Sequence, residues 1–81
     1  MNARTEFLAS LGRNIRQKRK EQKLSQDLLA LKSGLHRTYI SDVERGNRNI
    51  SLGSLVHITL ALDTTVSEIA RGIEGQNHLG L

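Results

Sequence analysis

The sequence predicts an all-α domain of five short helices, and three observations carry that expectation. Apolar residues recur three and four positions apart, the spacing of one face of a helix, and no stretch shows the alternation of a strand. Small hydroxyl residues stand where helices should begin, at Ser25, Ser51 and Thr65. Glycines stand where they should stop, at Gly34, Gly46 and Gly72. With 81 residues the chain makes one domain, whose core is small enough to leave a thin stability margin.

Residues 1–6 are polar and expected to fray. A first helix should run from Phe7 to about Gln22, with Leu8, Leu11 and Ile15 on its apolar face. Gly12 lies inside it at a cost of ~1 kcal/mol relative to Ala, which the close approach of another helix would justify. Arg19 falls on the apolar stripe, and a charge aimed inward needs a partner. The alternative is that its head snorkels to water on the aliphatic stem.

Ser25 caps a second helix in which Leu28, Leu29 and Leu31 are apolar and Ala30 allows close contact, and Gly34 suits a left-handed ending. The third helix should run from about His36 to Arg45, with Gly46 as its stop. Ser51 caps a fourth, to about Leu62, whose inward stripe is Leu55, Ile58 and Leu62. Val56 and Leu60 form a second apolar strip that points elsewhere. Thr65-Val66-Ser67-Glu68 is a capping box opening a short fifth helix, with Val66, Ile69 and Ile73 apolar. Gly72 and Gly75 should end order, giving a domain over residues 1–74 and a flexible tail over 75–81.

The third helix is the informative one. At 3.6 residues per turn His36, Tyr39, Ile40 and Val43 share one side, and Arg37, Thr38, Ser41, Asp42 and Arg45 share the other. Two short helices joined at a glycine, the second with a polar outer face, predict a helix-turn-helix over about 25–45. Such a helix fits the major groove of double-stranded DNA, and its N-terminal residues reach base edges. Those residues are Arg37, which can grip guanine O6 and N7 with two hydrogen bonds, and Thr38, which can bond or pack on a thymine methyl. Ser41 and Asp42 follow one turn on. The Asp42 carboxylate can accept from cytosine N4, repel phosphate, or orient Arg37 or Arg45. Arg45, Asn47, Arg48 and Asn49 suit phosphate contact or a probe of groove width. Tyr39 suits both packing and a phosphate contact through its hydroxyl. Arg16 is a phosphate candidate on the first helix.

Charge agrees with that partner. From Arg4 to Arg48 eleven Lys or Arg stand against five Asp or Glu, whereas from Asn49 onward one basic residue faces three acids. Neutralising phosphates releases counterions, so the basic half should be the DNA side. One recognition helix touches few base pairs. A two-fold homodimer on a near-palindromic operator is therefore expected, with half-sites ~34 Å apart. The dimerisation part should lie over about 52–73, with Val56, Leu60, Ile69 and Ile73 at the interface.

Other classes find little here. There is no cysteine, hence no thiolate site or disulfide, and the three histidines are too dispersed for a local metal motif. No catalytic triad, phosphate loop or spanning apolar run is present, so no enzyme, cofactor, metal, small-molecule ligand or membrane is expected. The start of the chain lacks a secretory apolar core, which makes a bacterial cytoplasmic protein the expectation.

The pattern Ser25-Gln26-x-x-Leu29-Ala30-x-x-x-Gly34, then Ile40-Ser41-x-x-Glu44-Arg45-Gly46, resembles the lambda-repressor-like, Xre-type helix-turn-helix family. The resemblance covers roughly residues 8–72 and implies a compact five-helix DNA-binding fold. More narrowly, Arg37-Thr38-Tyr39-Ile40-Ser41 with Glu44-Arg45 and Arg48-Asn49 resembles the controller proteins of restriction–modification systems. That likeness implies a homodimer that binds operators ahead of its own gene and the endonuclease gene. It would activate at low occupancy and repress when a second dimer covers the promoter. The family also implies an Arg19–Glu44 ion pair joining the first and third helices, which the wheel supports, since Glu44 edges the buried side. Gln26 matches the glutamine that braces the recognition helix and touches the DNA backbone. His36 departs from the small capping residue the family prefers. RNA polymerase is an implied partner through acids on the second helix, where this chain offers Asp27, with Leu31 at the next such position. A phage-type repressor, an antitoxin-type autoregulator, and an adaptor that docks through the fourth-helix strip are the competing readings.

Overall fold

The computed structural model describes residues 3–73, which form five helices and no strand. They are α1 Ala3–Glu21, α2 Gln26–Ser33, α3 Arg37–Glu44, α4 Leu52–Ala61 and α5 Val66–Ile69. α3 packs on α1 and α2, α4 on α2 and α5, and α5 returns to α1. The core they enclose has Ile15, Leu29, Ile40, Ile58, Leu62 and Ile73 as its fully buried side chains. Among the described residues no helix is long and apolar enough to cross a membrane.

The caps are local chemistry. Ser25 Oγ accepts from the Leu28 N–H at 3.0 Å, Ser51 Oγ from Ser54 at 3.1 Å and Thr65 Oγ1 from Glu68 at 3.1 Å. The Glu68 carboxylate turns outward to Arg71, 2.9 Å away. His36 occupies the N-cap of α3 without a side-chain cap hydrogen bond, as its imidazole implies. Gly34 takes φ 74° and its N–H bonds back to the Ala30 carbonyl, closing α2 in the left-handed ending.

Long-range fit explains the glycine inside α1. A Cβ on Gly12 would lie 2.4 Å from the Val43 carbonyl oxygen and 2.6 Å from that of Glu44. The missing side chain is what lets α1 lie against the last turn of α3. Two amides, one on α1 and one just after it, tie the first helix to the end of the chain's core: Asn14 Nδ2 donates to the Ile69 carbonyl at 2.7 Å, and Gln22 Nε2 donates to that of Leu62.

Four expectations change. The first helix begins at Ala3, not Phe7, because Glu6 sits in its positive first turn and Phe7 packs against the core. Ile69 and Ile73, expected at a subunit interface, are 3% and 1% exposed and belong to this chain's own core. Ile73 gets there because Gly72, at φ 81°, turns the chain inward where an end to ordered structure was expected. His36, expected on the inward side of the third helix, is exposed. The expected tail over 75–81 and the boundary at 74 lie outside the described residues.

Candidate nucleic-acid interface

α2 and α3 are joined across Gly34, and the outer side of α3 is polar while α2 exposes Leu28 and Leu31 beside Asp27. Ile40 and Val43 drive the inner side of α3 into the core at 0% and 3% exposure. That orientation leaves Arg37 and Thr38 exposed at the first turn, with Ser41 and Asp42 half-buried one turn later. Arg45, Asn47, Arg48 and Asn49 are exposed along the segment that leaves the helix. Arg16 is exposed on α1. A groove of about 410 Å³ opens between Leu35, His36, Thr38, Tyr39, Asp42 and Arg48.

The surface is held from behind by a buried ion pair. Arg19 Nε and Nη2 donate to Glu44 Oε2 and Oε1 at 2.6 and 2.9 Å, a two-pronged contact between α1 and α3. Arg19 Nη1 donates to the Leu24 carbonyl at 2.8 Å, and Gln26 Nε2 donates to Glu44 Oε1 at 3.1 Å. Arg19 and Glu44 are 8% and 7% exposed. Desolvation on this scale is tolerable only with such complete pairing, and among the described residues no buried side-chain nitrogen or oxygen lacks a partner. The hydrogen bond to Glu44 raises the Arg19 pKa above its ordinary value, so the guanidinium stays charged. Gln26 thereby ties the start of α2 to the end of α3.

On the outer face each arginine has its own companion. Arg45 Nη2 lies 2.6 Å from Asp42 Oδ1, one of the three roles open to Asp42 from sequence. Arg48 stacks over the Tyr39 ring, its guanidinium carbon 4.6 Å from the centroid. Arg37 Nε lies 3.2 Å from Asp27 Oδ1 on α2. This last pair was not visible in the sequence, since residues ten apart on two different helices meet only through the angle of the turn. The Tyr39–Arg48 stack had a weak signal, an aromatic nine residues before an arginine, that no periodicity rule picks out.

Val56 and Leu60 are exposed on α4, at 38% and 71%, and Leu52 extends that strip at 69%. Leu52 was missed because it directly follows the capping serine, where side-chain direction is hard to assign from a wheel. Among the described residues no three His, Cys, Asp or Glu side chains gather closely enough to hold a metal ion.

Comparison with known proteins places this surface in context. Residues 15–69 match the model of the helix-turn-helix family. Control protein C.SmaI of Serratia marcescens is 48% identical over 59 residues, 73% of this chain and 70% of that protein. The crystal structure of the restriction–modification controller protein C.AhdI from Aeromonas hydrophila superposes with a TM-score of 0.76 at 42% identity, over 76% of this chain and 94% of that one. The controller protein C.Esp1396I, solved as a tetramer in complex with its natural 35-base-pair operator, matches at 33% identity and a TM-score of 0.76, over 85% of this chain and 91% of that one.

Proposed function

The chain belongs to the helix-turn-helix family, among the restriction–modification controller proteins, and from that premise we propose how it reads and regulates its operators. It is a DNA-binding transcriptional regulator, a class distinct from enzymes. The observation that carries the proposal is the exposed first turn of α3. Arg37 and Thr38 stand clear of the core while the opposite side of the same helix is locked into it.

In this reading α3 enters the major groove, with Arg37 on a guanine, Thr38 on a neighbouring base, and Ser41 and Asp42 at the next positions. Arg45, Asn47, Arg48, Asn49, Tyr39, Gln26 and Arg16 hold the sugar–phosphate backbone. Asp42 acts on DNA chiefly by orienting Arg45, given their 2.6 Å contact. Two copies join through Leu52, Val56 and Leu60 to bind a near-palindrome, and the operators precede the chain's own gene and the endonuclease gene in the bacterial cytoplasm. The operator complex of C.Esp1396I supports this assignment. Contact with RNA polymerase through Asp27 has weaker support, because that carboxylate already faces Arg37 and the exposed neighbour is Leu31.

A footprint of the purified protein on the DNA upstream of its own gene tests the proposal. Protection of a near-palindrome with half-sites one turn apart supports autoregulation by a dimer, and a second adjacent site supports the controller switch. Absence of protection at moderate salt would defeat it.

A further inference from the structure

We propose that Asp27 is a positioning residue for base readout, its carboxylate on α2 holding the Arg37 guanidinium ready for the groove. The inference rests on Arg37 being a base-reading residue. Its ground is the nitrogen that each acid engages. Asp27 Oδ1 makes its closest approach to Arg37 at Nε, at 3.2 Å, on the side of the guanidinium and not at its terminal fork. Asp42 instead takes a terminal nitrogen of Arg45, at 2.6 Å. Guanine O6 and N7 call for two parallel donors. The Asp27 carboxylate thus meets Arg37 beside its terminal fork, whereas Asp42 sits on one of the two fork nitrogens of Arg45. The two arginines therefore present their forks differently, Arg37 with its acid at the side and Arg45 with its acid at one prong.

The Asp27–Arg37 pair does little for the fold. Its side chains are 77% and 61% exposed, and exposed ion pairs of this kind contribute little to stability. Its effect falls on Arg37, a long side chain that otherwise loses rotamer freedom when it binds a base. The acid also sets a condition on binding. A carboxylate at the groove edge opposes phosphate, so a register that denies Arg37 its guanine keeps the repulsion without the compensating hydrogen bonds. Asp27 thus lowers affinity for DNA in general and raises discrimination at one base pair.

The experiment uses the full chain and a duplex selected by it from a random-sequence library, together with single-base-pair variants of that duplex. Dissociation constants are measured for the parent, Asp27→Asn, Arg37→Ala and the double variant. Arg37→Ala is expected to abolish preference at one base pair. Asp27→Asn is expected to reduce preference at that same pair by about three-fold or more while tightening binding to unrelated duplex. The double variant should discriminate no less than Arg37→Ala alone, since Asp27 acts through Arg37. If Asp27→Asn shifts all duplexes equally while Arg37→Ala relaxes one pair, the positioning role is overturned and base reading by Arg37 stands. If Arg37→Ala relaxes no pair, base reading fails and the inference goes with it. Circular dichroism on each variant checks the fold, and exposed Asp27 gives no reason for it to change.

Discussion

Arg37 and Arg48 are both exposed arginines near α3, yet they should behave differently on DNA. Arg37 opens the helix that faces the groove, so Arg37→Ala should cost ~1–3 kcal/mol on the operator and relax specificity at one position. Arg48 is held against Tyr39 beyond the helix end, so Arg48→Ala should weaken all sequences alike and reduce the salt slope by about one. Binding titrations across a salt series separate the two, and equal, sequence-blind losses would refute the assignment of Arg37. Behind them, Glu44→Ala strands a buried guanidinium and should destabilise the fold by ~3–5 kcal/mol in denaturant melts. The raised pKa of Arg19 fixes the sign of any pH effect from that residue. Its contribution is fully present below the unfolded arginine value and lost only as pH rises through the higher folded value. Arg19 should therefore add no slope to stability measured between neutral and mildly alkaline pH.

At the scale of helices, the contact between α1 and α3 is the most sensitive joint. Alanine is the better helix former by ~1 kcal/mol, so an isolated α1 would gain from Gly12→Ala. In the folded chain the new Cβ meets two backbone carbonyl oxygens that cannot rotate away. Gly12→Ala should therefore destabilise by ~1–3 kcal/mol, and because α3 would have to shift, operator affinity should fall with it. Unchanged melting and binding would mean that the helices can separate freely at this point. The cap positions of α2, α4 and α5 were legible from Ser25, Ser51 and Thr65 because a cap is a contact within three residues of its own helix. The start of α1 was not, since Ala3 to Glu6 carry no stripe of their own and follow the helix that Phe7 anchors.

Taken whole, the molecule separates its surfaces. The polar outer side of α3 lies in the basic half of the chain and the exposed strip of Leu52, Val56 and Leu60 on α4 in the other, although α2 also exposes Leu28 and Leu31. If Leu52, Val56 and Leu60 join two copies, Leu60→Glu should convert a dimer to a monomer in sedimentation velocity. Operator affinity should then drop while the fold persists, since Leu60 is 71% exposed and outside the core. A variant that remains dimeric would move the interface elsewhere. The same division shows why Ile69 and Ile73 were misassigned: an apolar residue near an expected interface reads the same in sequence whether it faces a partner or its own core.

The five helices, the turn at Gly34, and the division of α3 into a buried and a reading side were determined by the sequence alone, because helical period and capping act over a few residues. So were the residues of the Arg19–Glu44 pair, with family likeness supplying the pairing and the wheel the direction. Only the tertiary structure decided which apolar residues remain outside, that Gly72 sends Ile73 inward, and that Asp27 stands beside Arg37. Each of these depends on the angle at which two helices cross, and that angle is set by packing among residues far apart in the chain.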